Sequence, residues 1–139
     1  MNEEEEKLQQ KYIEMKMLEE QMTEIQKHGQ KVEQQIMELM GSVQSIEDFK
    51  KTNVGDEILV PISSGVFAKA ELKENKELLV NVGSDTIVKK DIDSTKKLIS
   101  DQVEQIRDVH TKITMQIQKM SIQASSTESE LKELASKVQ

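Results

Sequence analysis

Glu57-Ile58-Leu59-Val60-Pro61-Ile62-Ser63-Ser64-Gly65-Val66-Phe67-Ala68-Lys69-Ala70 reads as two extended runs around a turn at Ser63-Ser64-Gly65. The second run continues through Glu71 and Leu72, its residues alternating between two faces. Lys73 to Lys76 is polar and turn-like. Leu78-Leu79-Val80-Asn81-Val82 then leads to a second turn at Gly83-Ser84-Asp85, and Thr86-Ile87-Val88-Lys89 follows. The pattern predicts two short β-hairpins. About forty residues are too few to bury a core alone, and four short strands leave pairing edges open. The expectation is an obligate oligomer in which strands of other subunits close the sheet.

Outward from this centre the sequence changes character on both sides. The only Pro, Pro61, and three of the five Gly lie within residues 52–90, and residues 91–139 contain neither. The first arm, 1–51, carries a ladder of alternating three- and four-residue steps: Leu8, Lys11, Met15, Leu18, Met22, Ile25, Gly29, Val32, Ile36, Leu39, Val43, Ile46. Ten of these twelve positions are apolar, the signature of a coiled-coil seam. The last arm, 91–139, repeats it: Ile92, Lys96, Ile99, Val103, Ile106, His110, Ile113, Ile117, Met120, Ala124, Thr127, Leu131, Leu134, Val138. Asp91, Asp93 and Ser94 are N-cap candidates for that helix, and Lys50 and Lys51 before Asn53 and Gly55 suit the end of the first.

Each helix would run roughly 70 Å at about 1.5 Å per residue, and a seam of that length needs a partner. Antiparallel coils layer position a of one helix against d of the other. Pairing residues whose numbers sum to 142 satisfies this from Ile46/Lys96 to Leu8/Leu134, and sets Glu3 opposite Gln139. The predicted fold is therefore α+β and mostly α. It is one long antiparallel two-helix coiled coil with two β-hairpins at its base and both termini at its far tip, forming one structural domain.

Composition excludes several classes of function. Aromatic residues make up 2% of the 139 residues and Trp is absent, so the large side chains of a globular core are missing. The absence of Cys removes disulfides and thiolate metal sites. No apolar run approaches the roughly 18 residues of a membrane span, and MNEEEEK is acidic where a signal peptide would be basic. A net charge of −7 opposes sequence-independent binding to nucleic acid or anionic membrane. The expectation is a soluble, cytoplasmic protein without cofactor or metal. Gly65 and Gly83 sit in turns rather than in a phosphate-cradling motif. Carboxylates on exposed helices lack the cleft that acid–base catalysis requires, so no enzyme is expected.

The order of coil, two hairpins and coil resembles the alpha-type subunits of the prefoldin family. The residues that carry the likeness are Glu57 to Ala70 and Leu79-Val80-Asn81-Val82-Gly83, which follow the family's strand, Pro, small-residue turn, aromatic and Val-Gly pattern. The second hairpin matters, since beta-type subunits have one. Ser84-Asp85-Thr86 departs from the small or apolar residues more usual after that Gly. The resemblance implies an ATP-independent chaperone of two alpha and four beta subunits. Its hairpins form a β-barrel platform, its coil tips hold non-native polypeptides, and these pass to a group II chaperonin. On this reading Val60, Ile62, Val66, Phe67, Leu79 and Val82 serve subunit assembly.

A holding chaperone needs apolar groups that its own core does not consume. Tyr12, Ile13 and Met17 fall off the seam near the predicted tip, and Met115 and Ile122 point away from the partner helix. Met adapts to unrelated sequences. Terminal turns fray, so Leu8, Leu131, Leu134 and Val138 could open as well. Leu8, Tyr12, Ile13, Met17, Leu131, Leu134 and Val138 are the candidate client grip. The plainer reading is that isolated exposed apolar residues are ordinary and that seam residues simply pack. His110, opposite Val32 and one layer from Gly29, reads as filling the space left by the glycine rather than as a metal ligand. A coiled-coil scaffold or filament without client binding is the structural alternative, and an adaptor docking one defined partner is a third.

Overall fold

The structure, a computed structural model, describes residues 2–138. The expected pairing of Glu3 with Gln139 therefore lies partly outside the described residues. The elements in chain order are α1 (Glu3–Lys50), β1 (Glu57–Ser63), β2 (Val66–Glu71), β3 (Glu77–Asn81), β4 (Ile87–Asp91) and α2 (Ile92–Val138). Two long helices thus enclose two antiparallel hairpins in the sequence, which is the fold class that the periodicities dictate. The chain divides into two compact units: residues 1–35 with 106–139, and residues 36–105.

The first unit is a pair of antiparallel helical segments. Leu18, Val32, Ile113 and Met120 are buried in its seam, and Thr127 is buried with them. Gly29 is buried because a helix passes close to it: a Cβ there would lie 3.3 Å from Ile113 Cγ2. That contact matches the pairing in which residue numbers sum to 142. It also corrects one expectation, since Ile113 and not His110 fills the space beside Gly29. The imidazole turns outward, its Nε2 lying 3.0 Å from Glu33 Oε1. The α1 N-terminus closes with a reciprocal cap. Asn2 Oδ1 accepts the Glu5 N–H at 2.8 Å, and the Glu5 carboxylate accepts the Asn2 N–H at 3.3 Å. Glu3 to Glu6 also set negative charge against the positive end of the helix dipole.

The second unit holds the end of α1, both hairpins and the start of α2. β1 pairs with β2 from Glu57↔Glu71 to Ser63↔Val66, with an irregularity between Pro61 and Ser63. The turn places Gly65 at φ 76°, in the left-handed region that Gly adopts without penalty. β3 pairs with β4 from Glu77↔Asp91 to Asn81↔Ile87. Its loop carries Gly83, Ser84 and Asp85 all at positive φ, closed by Val82 N–H to Thr86 O at 3.0 Å and Thr86 N–H to Gly83 O at 2.9 Å. β4 accordingly starts at Ile87 and reaches Asp91, one residue later than expected at its start and two beyond Lys89 at its end.

Asp91 resolves the choice among N-cap candidates. Its carboxylate accepts the Ser94 N–H at 2.6 Å, which holds the carboxyl below its ordinary value. Thr95 Oγ1 donates to the Asp91 carbonyl at 2.7 Å. Asp91 is thus the last strand residue and the first helix cap at once, so the strand-to-helix junction needs no loop. At the other junction Leu72, which is buried, exchanges backbone hydrogen bonds with Gly55 and Asp56. Asn75 Nδ2 donates to the Thr52 carbonyl at 3.0 Å. Lys96 to Glu47 and Lys50 to Asp93 link the two helices within this unit.

Candidate functional site

The strongest candidate lies at the end of the first unit that carries both ends of the chain. Leu8 and Tyr12 sit one turn apart on α1, and Leu131 and Ala135 one turn apart on α2. Together they line an open furrow of about 560 Å³, with Glu5, Gln9 and Lys132 at its margins. Helical spacing explains the arrangement, because i and i+4 share a face and form a continuous ridge. Leu8 and Leu131 are half-buried seam positions, whereas Tyr12 is 57% exposed. The furrow therefore combines a partly consumed seam edge with an exposed aromatic ring. Lys16 Nζ lies over that ring, 5.8 Å from its centre.

Lys11 is the charged intruder in the α1 ladder. Its ammonium reaches across to Glu130 at 2.6 Å and along the helix to Glu14 at 3.3 Å. The Glu130 and Glu14 carboxylates hold its pKa above the ordinary value. A seam position is thereby closed by charge instead of hydrocarbon. Exposed pairs of this kind stabilise little, so this end of the coil is held more weakly than the Leu18–Met120 region.

The structure divides the seven residues proposed for client binding. It brings Leu8, Tyr12 and Leu131 to one furrow. Met17 instead lines a second groove of the same unit with Glu20, Gln21, Glu24, Ile25, Gln116 and Met120. Ile13 is exposed and lines neither furrow, Leu134 is half-buried, and Val138 is the one ladder residue left exposed. Ala135 and Gln9 were missed by sequence reasoning. They follow from Leu131 and Tyr12 by one helical step, a signal that a search for large apolar side chains passes over.

The hairpins present a second apolar surface. Val60, Ile62, Val66, Phe67, Leu79 and Val82 are all exposed in the single chain. The strand register puts Phe67 opposite Pro61 on one face of its hairpin, and Val60 opposite Ala68 on the other. Leu59 and Ile87, also exposed, were not among the expected residues. Leu59 shares the Pro61 and Phe67 face, and Ile87 shares the Leu79 face. The two-residue period of a strand contained that signal. Among the described residues, no three His, Cys, Asp or Glu side chains gather as metal ligands. No helix there is long and apolar enough to cross a membrane.

Comparison with known proteins places this architecture. Residues 18–137 match the prefoldin family, described as prefoldin subunit. The chain is 33% identical over 139 residues to a prefoldin subunit alpha of Methanococcus aeolicus, covering 100% of this chain and 90% of the relative. It is 24% identical over 127 residues to a prefoldin subunit alpha of Archaeoglobus fulgidus, covering 91% and 93%. A solved filamentous PFD from Methanocaldococcus jannaschii superposes with a TM-score of 0.75 at 16% identity, over 84% of this chain and 96% of that one. That likeness carries the fold. With the sequence match spanning most of both helices and all four strands, the chain belongs to the prefoldin family, a family of chaperone subunits and not of enzymes.

Proposed function

We propose that the chain is the alpha-type subunit of an ATP-independent holding chaperone. It assembles through its hairpins with beta-type partners, as two alpha and four beta subunits around a β-barrel platform, in the cytoplasm. It captures non-native polypeptides at the chain-terminal end of its helical pair and releases them to a group II chaperonin. The observation that carries this reading is the furrow of Leu8, Tyr12, Leu131 and Ala135. It is apolar, open and shallow, so it takes side chains of many shapes and grips none of them tightly. Several such ends acting together convert weak contacts into effective holding while each contact still releases quickly.

The hairpins support the assembly half of the proposal. A two-stranded hairpin is marginal alone, and these two expose Leu59, Ile62, Phe67, Leu79 and Ile87. Strands of neighbouring subunits would bury those side chains and pair the open edges at the same time. The test is suppression of aggregation of a denatured protein by the purified complex. Deleting residues 1–14 and 129–139 leaves assembly intact and abolishes suppression. Full suppression by the truncated complex overturns the reading. The filamentous relative gives the scaffold alternative a specific form, and native mass separates the two. A polymer of this chain alone, with no suppression, favours the scaffold.

A further inference from the structure

Lys11 occupies a ladder position on α1, and the pairing in which residue numbers sum to 142 sets it in one layer with Leu131. The contact between Gly29 and Ile113 follows the same pairing. Seam layers are ordinarily filled by hydrocarbon from both helices, whereas this one ends on the α1 side in an ammonium. That ammonium lies 2.6 Å from Glu130 and 3.3 Å from Glu14, and the lysine side chain is 33% exposed. Among the described residues, Lys11 to Glu130 is the only ion pair joining the two helices on the chain-end side of Glu33 and His110. The next layer inward sets Met15 against Thr127, so two consecutive layers each lack one large apolar side chain. From Lys11 and Leu131 to the ends of the described helices no seam residue is fully buried, while Leu18 and Thr127 just inside them are.

This weakly closed stretch coincides with the furrow. Leu8 and Leu131 line it, and Lys11 does not. A leucine at position 11 would complete the layer with a second hydrocarbon side chain. The lysine leaves the layer to a partly exposed ion pair, which stabilises little. A lysine at a core position of a coil lowers stability, and binding sites often forgo stability that better packing would supply. We propose, on the reading that this end holds clients, that Lys11 is a positioning residue. Its charge, held by Glu130, keeps the Leu8 and Leu131 end of the seam loosely closed, so that both leucines reach a client that the lysine itself does not touch. The second unit shows the contrast. Lys96 also interrupts a ladder and pairs with Glu47, but there Lys50 to Asp93 ties the helices again and the Asp91 cap fixes the helix start.

The test compares Lys11→Leu, Lys11→Arg and Glu130→Gln in the assembled complex. It reads amide hydrogen exchange in residues 3–14 and 128–137 together with suppression of aggregation of a denatured protein. Lys11→Leu fills the layer and slows exchange there on the order of 10-fold. It leaves exchange around Ile113 unchanged and lowers suppression several-fold. Lys11→Arg keeps the charge and the pair and behaves as the parent chain. Glu130→Gln speeds exchange about 2-fold and retains suppression. Raising the salt speeds exchange at this end of the parent chain, and Lys11→Leu removes that response. Parent-level suppression by Lys11→Leu, with exchange slowed, overturns the proposal and leaves client holding intact. Unchanged exchange in Lys11→Leu overturns it as well, since another feature then sets the looseness of this end. Equal loss of suppression in Lys11→Arg and Lys11→Leu overturns it too, because the charge is then not what matters. Client holding itself is read separately, from aggregation suppression by the complex lacking residues 1–14 and 129–139.

Discussion

The helical pair of residues 1–35 and 106–139 and the hairpins of residues 57–91 solve the problem of apolar surface in opposite ways. The helices bury Leu18, Val32, Ile113 and Met120 against each other within one chain. The hairpins leave Leu59, Ile62, Phe67, Leu79 and Ile87 in water. Geometry makes the difference. A seam of one residue every 3.5 positions needs a single partner of the same kind, and the chain supplies it by folding back. A two-stranded sheet has two faces and two edges, more than the remaining residues can cover. One region buries its apolar residues within a single copy, and the other leaves them exposed there. The terminal furrow stands between these cases, formed within one chain yet shallow enough to stay available.

The sharpest way to break this contrast is Phe67→Asp. A carboxylate in place of that ring leaves the single chain soluble but cannot be buried without a partner, so the assembly is lost at micromolar concentration by native mass. A surviving complex would show that this hairpin face stays in water. Next in size are the two helical glycines. Gly29 already backs onto Ile113, so Gly29→Val overpacks the seam and lowers stability by about 1–3 kcal/mol. Gly41 has no neighbour within 4 Å of its would-be Cβ, and Gly41→Ala raises stability by about 0.5–1 kcal/mol. Thermal unfolding followed by helix signal distinguishes the two, and equal effects would mean that the seam at Gly29 has slack. The smallest effect is electrostatic. Hydrogen bonding from Ser94 lowers the Asp91 pKa, so the cap's contribution is fully present above the ordinary Asp value of 3.8 and fades as pH falls through the lowered one. Asp91→Ala lowers the melting temperature at neutral pH, and its difference from the parent chain shrinks on acidification; a constant difference would place the effect in packing.

How much of this was legible in the sequence varies with the physics of each element. The three-and-four ladder marks the seam because burial in a coil follows spacing alone, and every ladder residue except Val138 is at least half-buried. Both hairpins were readable from turn residues and alternation. The irregularity between Pro61 and Ser63 was not, since it arises from how the two strands meet. The furrow was only partly visible. Leu8, Tyr12 and Leu131 announce themselves by size, but Met17 separates from them because it projects from a different face. Lys11 shows the limit most clearly. Its place in the ladder is evident, whereas its reach to Glu130 and Glu14 together depends on how a flexible side chain turns.

The central claim, that the chain-terminal end of the helices holds clients while the hairpins hold subunits, is tested most directly by site-specific photocrosslinking. A photoreactive residue replaces Tyr12 in one complex and Phe67 in another, and each is illuminated with a denatured client present. The account predicts client adducts from position 12, and adducts to neighbouring subunits alone from position 67. Client adducts from position 67 with none from position 12 would contradict it.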